Sequence, residues 1–176
     1  MRVLMMTPEI LIRDEVPDDV ADICDVTVAA FESMEISNHT EQFVIDALRA
    51  ANALTLSLVA EVNGQVVGHI AFSPVTISDG TDNWYGLGPV SVLPVYQRKG
   101  IGSALIEKGL SRLKDLGAKG CCLVGHPLYY RRFGFDSVVG LGLPGVPDEA
   151  FFVLSFGYPI RQGVVAFHEG FNATGS

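Results

Sequence analysis

The sequence is short of cysteine, of basic residues and of long apolar runs, and each shortage removes a class of protein. Its only thiols are Cys24, Cys121 and Cys122, an odd number with no C-x-x-C spacing, which argues against a zinc site and against a disulfide framework. Cys121 and Cys122 are adjacent, so on a strand they point to opposite faces. Buried, reduced thiols of a cytoplasmic protein are the expectation, with no metal. No apolar run approaches the ~18 residues of a membrane span. Residues 1–7 carry one Arg and too short an apolar stretch for a secretory signal. No membrane partner is therefore expected. Twelve Lys and Arg stand against 20 Asp and Glu, a net charge of -8. Such a balance disfavours general binding to nucleic acid.

What remains is the composition of one globular domain. The chain has 176 residues, 48% hydrophobic and 18% charged, enough for a sizeable core. Its charge is unevenly spread. Residues 98–132 hold eight basic and two acidic side chains, whereas residues 1–97 hold three basic and 14 acidic ones. A basic middle suits a small polyanion, and an acidic first half suits a cationic amine.

The middle contains the most informative stretch. Residues 87–93 read as a strand carrying Val90 and Val92, which Pro94 ends because it has no N–H for the ladder. Gln97-Arg98-Lys99-Gly100-Ile101-Gly102-Ser103 follows, and then a helical pattern through Leu105, Ile106, Leu110 and Leu113. Free N–H groups at a helix start receive anions, and the helix dipole adds to this. Gly100 and Gly102 let a phosphate approach the backbone, with Arg98 and Lys99 at the rim. The loop is neither a Walker A sequence, since no Lys follows Gly102, nor a dinucleotide fingerprint, since position 105 is Leu.

Elsewhere the chain alternates short elements. Residues 9–13 read as a strand. Pro17-Asp18-Asp19 opens a first helix, and Thr40 caps a second. Strands 54–60 and 66–72 flank Asn63-Gly64, a hairpin signal. Strand 84–93 leads to the loop, and its helix ends at Gly117. Strand 119–124 follows, and the helical crossover makes it parallel to 87–93. A short helix over 126–133 begins with Pro127 and ends at Gly134. Residues 135–139, 151–155 and 163–167 supply the last strands, and a loop rich in Gly and Pro spans 140–149.

Gln97-Arg98-Lys99-Gly100-Ile101-Gly102 resembles the diphosphate loop, Q/R-x-x-G-x-G/A, of the GNAT (GCN5-related N-acetyltransferase) superfamily. Tyr130-Arg131-Arg132-Phe133-Gly134-Phe135 resembles a second signature of that superfamily, Y-x-x-x-G-F. Gly125-His126-Pro127-Leu128-Tyr129-Tyr130 is similar to its YhbS-like branch. The resemblance implies an α/β (α+β) fold: a single domain over 9–168, with extensions at 1–8 and 169–176. A mixed, mostly antiparallel sheet is flanked by helices and has one splayed parallel strand pair. It implies acetyl-CoA as cosubstrate and an amine of a small molecule or peptide as acceptor, and it leaves a homodimer open.

The resemblance also implies roles. Backbone groups of Val90 and Val92 would bind pantetheine, with an N–H near Val90 polarising the thioester carbonyl. Gln97, Arg98, Lys99, Gly100, Ile101, Gly102 and Ser103 would hold the diphosphate. Tyr130 would protonate the leaving thiolate, with Tyr129 as its rival. The base stays open among Glu32, Glu35, Glu41, His126 and a water relay, because the strand at Val90 carries no acid. That absence keeps alive a catalytically silent acyl-CoA-binding domain as the alternative to an N-acetyltransferase.

Overall fold

The computed structural model describes residues 9–160 and 162–175. Strands β1 (Ile10–Asp14), β2 (Leu56–Val62), β3 (Gln65–Ile77) and β4 (Trp84–Val92) form an antiparallel succession. Helices α1 (Val20–Phe31) and α2 (Glu41–Ala50) lie between β1 and β2 in the chain. Helix α3 (Ile101–Asp115) leads to β5 (Gly120–Val124), and a single helical turn, α4 (Pro127–Tyr130), follows. Strands β6 (Leu141–Gly142), β7 (Phe151–Ser155) and β8 (Gly163–Phe167) complete the set. The sheet runs β1-β2-β3-β4-β5-β7, with β8 on the far end of β3.

Local chemistry explains several boundaries. Asn63 (φ 50°) and Gly64 (φ 78°) both take positive φ, the conformation that a two-residue hairpin needs, and Val62 pairs with Gln65. Pro17–Asp19 forms a 3-10 turn before α1. There the Asp19 carboxylate accepts the Val16 N–H at 2.8 Å and both Arg13 guanidinium nitrogens at 2.7 and 3.0 Å. The Arg13 bonds hold the Asp19 carboxyl below its ordinary range.

Two layers of helix cover the sheet. Leu105, Ile106 and Leu113 of α3 pack on Leu58, Ile70 and Phe72. On another patch, Ile23, Val26 and Ile45 of α1 and α2 pack on Val59 and Val66. Cys121 belongs to the α3 cluster and Cys122 to a separate cluster around Trp84, as adjacent strand residues require. All three cysteines are free thiols. No helix among the described residues is long and apolar enough to cross a membrane.

The decisive irregularity is in β4. Its parallel ladder with β5 runs through Trp84–Gly120, Tyr85–Cys121 and Gly86–Cys122, and stops there. On the other side, Phe72 faces Leu87 and Ile70 faces Val90, so Gly88 and Pro89 together oppose Ala71 alone. That is a β-bulge, which bends the strand. Gly88 takes φ 139°, open to glycine, and Pro89 has no N–H to offer. From Leu87 onward β4 leaves β5, whose other edge stays paired with β7 from Gly120–Ser155 to Val124–Phe151.

Four expectations are corrected. The parallel contact of 87–93 with 119–124 lies upstream, at 84–86, so the predicted segment is the open part of the pair. Residues 135–139 make one isolated bridge, Asp136–Val153, rather than a strand. A two-residue strand, β6, instead forms inside the Gly- and Pro-rich loop and runs parallel to β8. The helix expected over 126–133 divides into α4 and a 3-10 turn, Arg131–Phe133. Past 168, a turn at Glu169–Asn172 rests Gly170 on Leu48 of α2. Residues 1–8 lie outside the described residues.

Candidate active site

The start of α3 is shaped by backbone conformation. Arg98 (φ 63°) and Gly100 (φ 83°) take left-handed φ, and Gly100 is the N-cap. The first helical bond runs from the Ala104 N–H to the Gly100 carbonyl at 3.0 Å. The N–H groups of Ile101, Gly102 and Ser103 therefore have no helical acceptor. They border a depression of about 500 Å³ that Arg98, Tyr129 and Arg132 also line. A Cβ on Gly102 would stand 3.1 Å from the Tyr129 hydroxyl and 3.9 Å from a Val92 methyl. Gln97 Nε2 donates to the Val92 carbonyl at 3.0 Å, so this carbonyl at the end of β4 is already engaged. Lys99 instead lies over the Tyr96 ring, 5.7 Å from its centroid.

A second cleft of about 750 Å³ shares Val92, Gln97 and Tyr129 with the first. It lies in the gap between β4 and β5, bounded by Leu87, Pro89 and Val90 on one strand and by Val124 and Gly125 on the other. Phe31, Met34 and Ile36, from the end of α1 and the loop after it, form a further wall.

Tyr130 and His126 both line this cleft. Gly125 makes room for Tyr130, since a Cβ there would come within 2.3 Å of the ring. Tyr129 and Phe135 meet the ring edge-on at 4.9 and 6.2 Å between centroids. Burial, and then the neighbouring Tyr129, raise the Tyr130 hydroxyl to a pKa of about 12. His126 caps α4, its Nδ1 accepting the Leu128 N–H at 3.3 Å.

The carboxylate candidates sit elsewhere. Glu41 accepts the Ser37 hydroxyl and does not line the cleft. Glu32 borders a separate depression of about 320 Å³ with His39 and Gln42. Glu35 is exposed and lines neither cleft. Among the described residues no group of three or more His, Cys, Asp or Glu is gathered to hold a metal ion.

Two site residues escaped the sequence. Arg132 donates from Nη2 to Ser103 Oγ at 2.9 Å, and its guanidinium lies 4.3 Å from the Tyr129 ring centroid. Its place inside the second motif was the available signal. Glu149 reaches the cleft because the Gly125 N–H donates to the Ala150 carbonyl at 3.0 Å, which sets the turn Asp148–Ala150 beside His126. No local pattern marks that pairing.

A mixed sheet parted at one parallel pair, with a helix start whose first N–H groups have no helical acceptor beside the gap, is the arrangement that the two motifs imply for an acyltransferase fold. The profile of the Acetyltransferase (GNAT) family matches residues 20–135, and the chain belongs to that family. It is 35% identical over 170 residues to the uncharacterized N-acetyltransferase YhbS of Escherichia coli strain K12, spanning 92% of this chain and 98% of that protein. The crystal structure of YhbS from Escherichia coli in complex with CoA superimposes with a TM-score of 0.85 at 33% identity, covering 99% of this chain and 98% of the other. A GNAT family acetyltransferase from Brucella melitensis in complex with acetyl-CoA gives a TM-score of 0.83 at 52% identity, covering 93% of this chain and 98% of the other. The chain thus falls in the YhbS-like branch of the superfamily.

Proposed function

We propose that the protein transfers the acetyl group of acetyl-CoA to a primary amine of a small molecule or peptide. The observation that carries this is the open edge of β4 between Gly86 and Val92, ending at the glycine-bearing start of α3. Relatives of closely similar fold are solved with CoA and acetyl-CoA, which supports the same donor here. The N–H groups of Ile101, Gly102 and Ser103 suit a diphosphate, helped by Arg98 and Arg132 and, farther out, Lys99. Gln97 steadies the junction of strand and loop through Val92. The unpaired edge near Val90 suits pantetheine, and its N–H the thioester oxygen.

Tyr130 acts as the acid for the thiolate, and His126, which lines the same gap, as the base. Glu41 is given no step in this reading, because it does not line the cleft; its Oε1 accepts from Ser37. A cytoplasmic location belongs to the same reading.

Acetyl-CoA should raise the melting temperature, and amines should release free CoA thiol from it. Gly102→Asp puts a carboxylate where the diphosphate would lie and should abolish the stabilisation. Undiminished stabilisation in that variant would remove the loop from the donor site. Stabilisation without thiol release on any amine would instead make the protein a silent acyl-CoA-binding domain.

A further inference from the structure

Resting on the acetyl-transfer reading, we propose that the acceptor is a monoamine with an apolar body, its ammonium held by Glu149 and its body laid on Phe31, Met34 and Ile36. The cleft of about 750 Å³ in the strand gap extends from Val90 out to Met34 and Ile36. Its outer wall is apolar and turned to solvent: Ile36 is 91% and Met34 40% exposed. Val124, also exposed, lies on the strand side of the same cleft. Exposed apolar side chains gathered at one cleft mark a binding surface rather than scattered surface residues.

The charge in the cleft is equally specific. Among its described lining residues there is no Lys, Arg or Asp, and Glu149 is the one carboxylate. Its backbone is held on both sides, leaving the exposed side chain at the cleft mouth: the Gly125 N–H holds the Ala150 carbonyl at 3.0 Å, and the Ser137 hydroxyl donates to the Asp148 carbonyl at 2.9 Å. One carboxylate answers one ammonium. A polyamine or a lysine-rich peptide would bring further charges against Phe31 and Met34, where the described lining offers no second carboxylate to pair with them. A long acyl chain on the donor would also fit the apolar wall, but it gives Glu149 nothing to bind.

The transfer balances simply. A C–N bond forms and the C–S bond breaks; of the two protons the ammonium gives up, one ends on the departing thiol and one in solvent.

The test uses the intact protein with acetyl-CoA and follows thiol release. Butylamine, hexylamine, octylamine and phenethylamine are compared with spermidine and a lysine-containing peptide. Burial of the body predicts that kcat/KM rises about threefold per methylene along the alkyl series. Spermidine and the peptide should fall at least ~10-fold below octylamine. Glu149→Gln should raise KM for octylamine about tenfold, with KM for acetyl-CoA within about twofold. Ile36→Asp, at a surface position that tolerates a polar side chain, should flatten the alkyl series.

A flat series with spermidine or the peptide preferred overturns the proposal and leaves acetyl transfer standing. So does a series in which the rate follows the length of the acyl-CoA instead, with that dependence lost in Ile36→Asp: the wall then belongs to the donor. Stabilisation by acetyl-CoA with no release on any amine overturns the acetyl-transfer reading itself.

Discussion

Arg132 Nη2 donates to Ser103 Oγ at 2.9 Å, tying the turn after α4 to the first turn of α3. The same guanidinium stacks on Tyr129, 4.3 Å from the ring centroid, so its orientation is set before any ligand arrives. Arg132→Gln should raise KM for acetyl-CoA about tenfold, the scale of one lost hydrogen bond to a charged group. S-acetylpantetheine, which lacks the diphosphate, should be used equally by both proteins. Steady-state kinetics with the two donors decide this, and an equal loss on both would give Arg132 a structural role only.

The fold was legible where one residue type has one physical use. Asn63-Gly64 marked a hairpin, and the glycines at 100 and 102 marked the start of a helix. The bulge at Gly88-Pro89 was hidden, because a proline in a strand signals an edge and not which neighbour is lost. Residues 135–139 carry Phe135, Val138 and Val139, residue types favoured in strands, yet only Asp136 bridges to β7. Glu149 reaches the cleft through a contact between elements far apart in sequence, which no local spacing encodes, whereas Arg132 lay inside the second motif with only its bond to Ser103 out of view.

His69 is fully buried, its Nε2 2.8 Å from Ser57 Oγ, and burial, with the field of Arg49 adding, lowers its pKa to about 3. The unfolded chain takes up this proton near pH ~6.5, whereas the folded chain waits until about 3. Between these values the unfolded state binds more protons, so stability falls as pH falls, by up to ~1.4 kcal/mol per pH unit. Above pH ~6.5 the contribution is complete. His69→Gln keeps a polar partner for Ser57 and removes the titration. Denaturant unfolding between pH ~6.5 and ~5, above most carboxylate titration, should show a shallower loss in the variant. Parallel losses would mean that His69 carries its proton inside the fold.

Gly109 in α3 faces the ring of Phe72, and a Cβ there would come within 2.3 Å of it. Alanine gains about 1 kcal/mol in helix propensity over glycine, but overpacking a filled core costs ~1–3 kcal/mol. Phe72 is fully buried and has nowhere to retreat, so the upper end applies. Gly109→Ala should therefore lose about 1–2 kcal/mol net, visible as a melting temperature lower by ~2–8 °C. A higher melting temperature would show that α3 shifts to admit the methyl.

Tyr130→Phe should reduce kcat far more than it raises KM for acetyl-CoA. The Tyr130 ring fills the space left by Gly125 and touches Tyr129 and Phe135, and phenylalanine keeps all of that packing. Only the hydroxyl goes. With its pKa raised to about 12, this hydroxyl stays protonated at neutral pH and can donate to a thiolate as the C–S bond breaks. That charge exists only on the way to products, so losing its partner appears in kcat. General-acid contributions span ~10²–10⁴-fold, and the low end is expected because water can reach an open cleft. The control is Tyr129→Phe. Its hydroxyl lies beside Gly102, 3.1 Å from where a Cβ would stand, so its loss should act on donor affinity instead. Stopped-flow and steady-state measurements on both variants separate the two effects. If Tyr129→Phe lowers kcat and Tyr130→Phe does not, the acid is Tyr129; if neither does, the thiolate leaves without a side-chain acid.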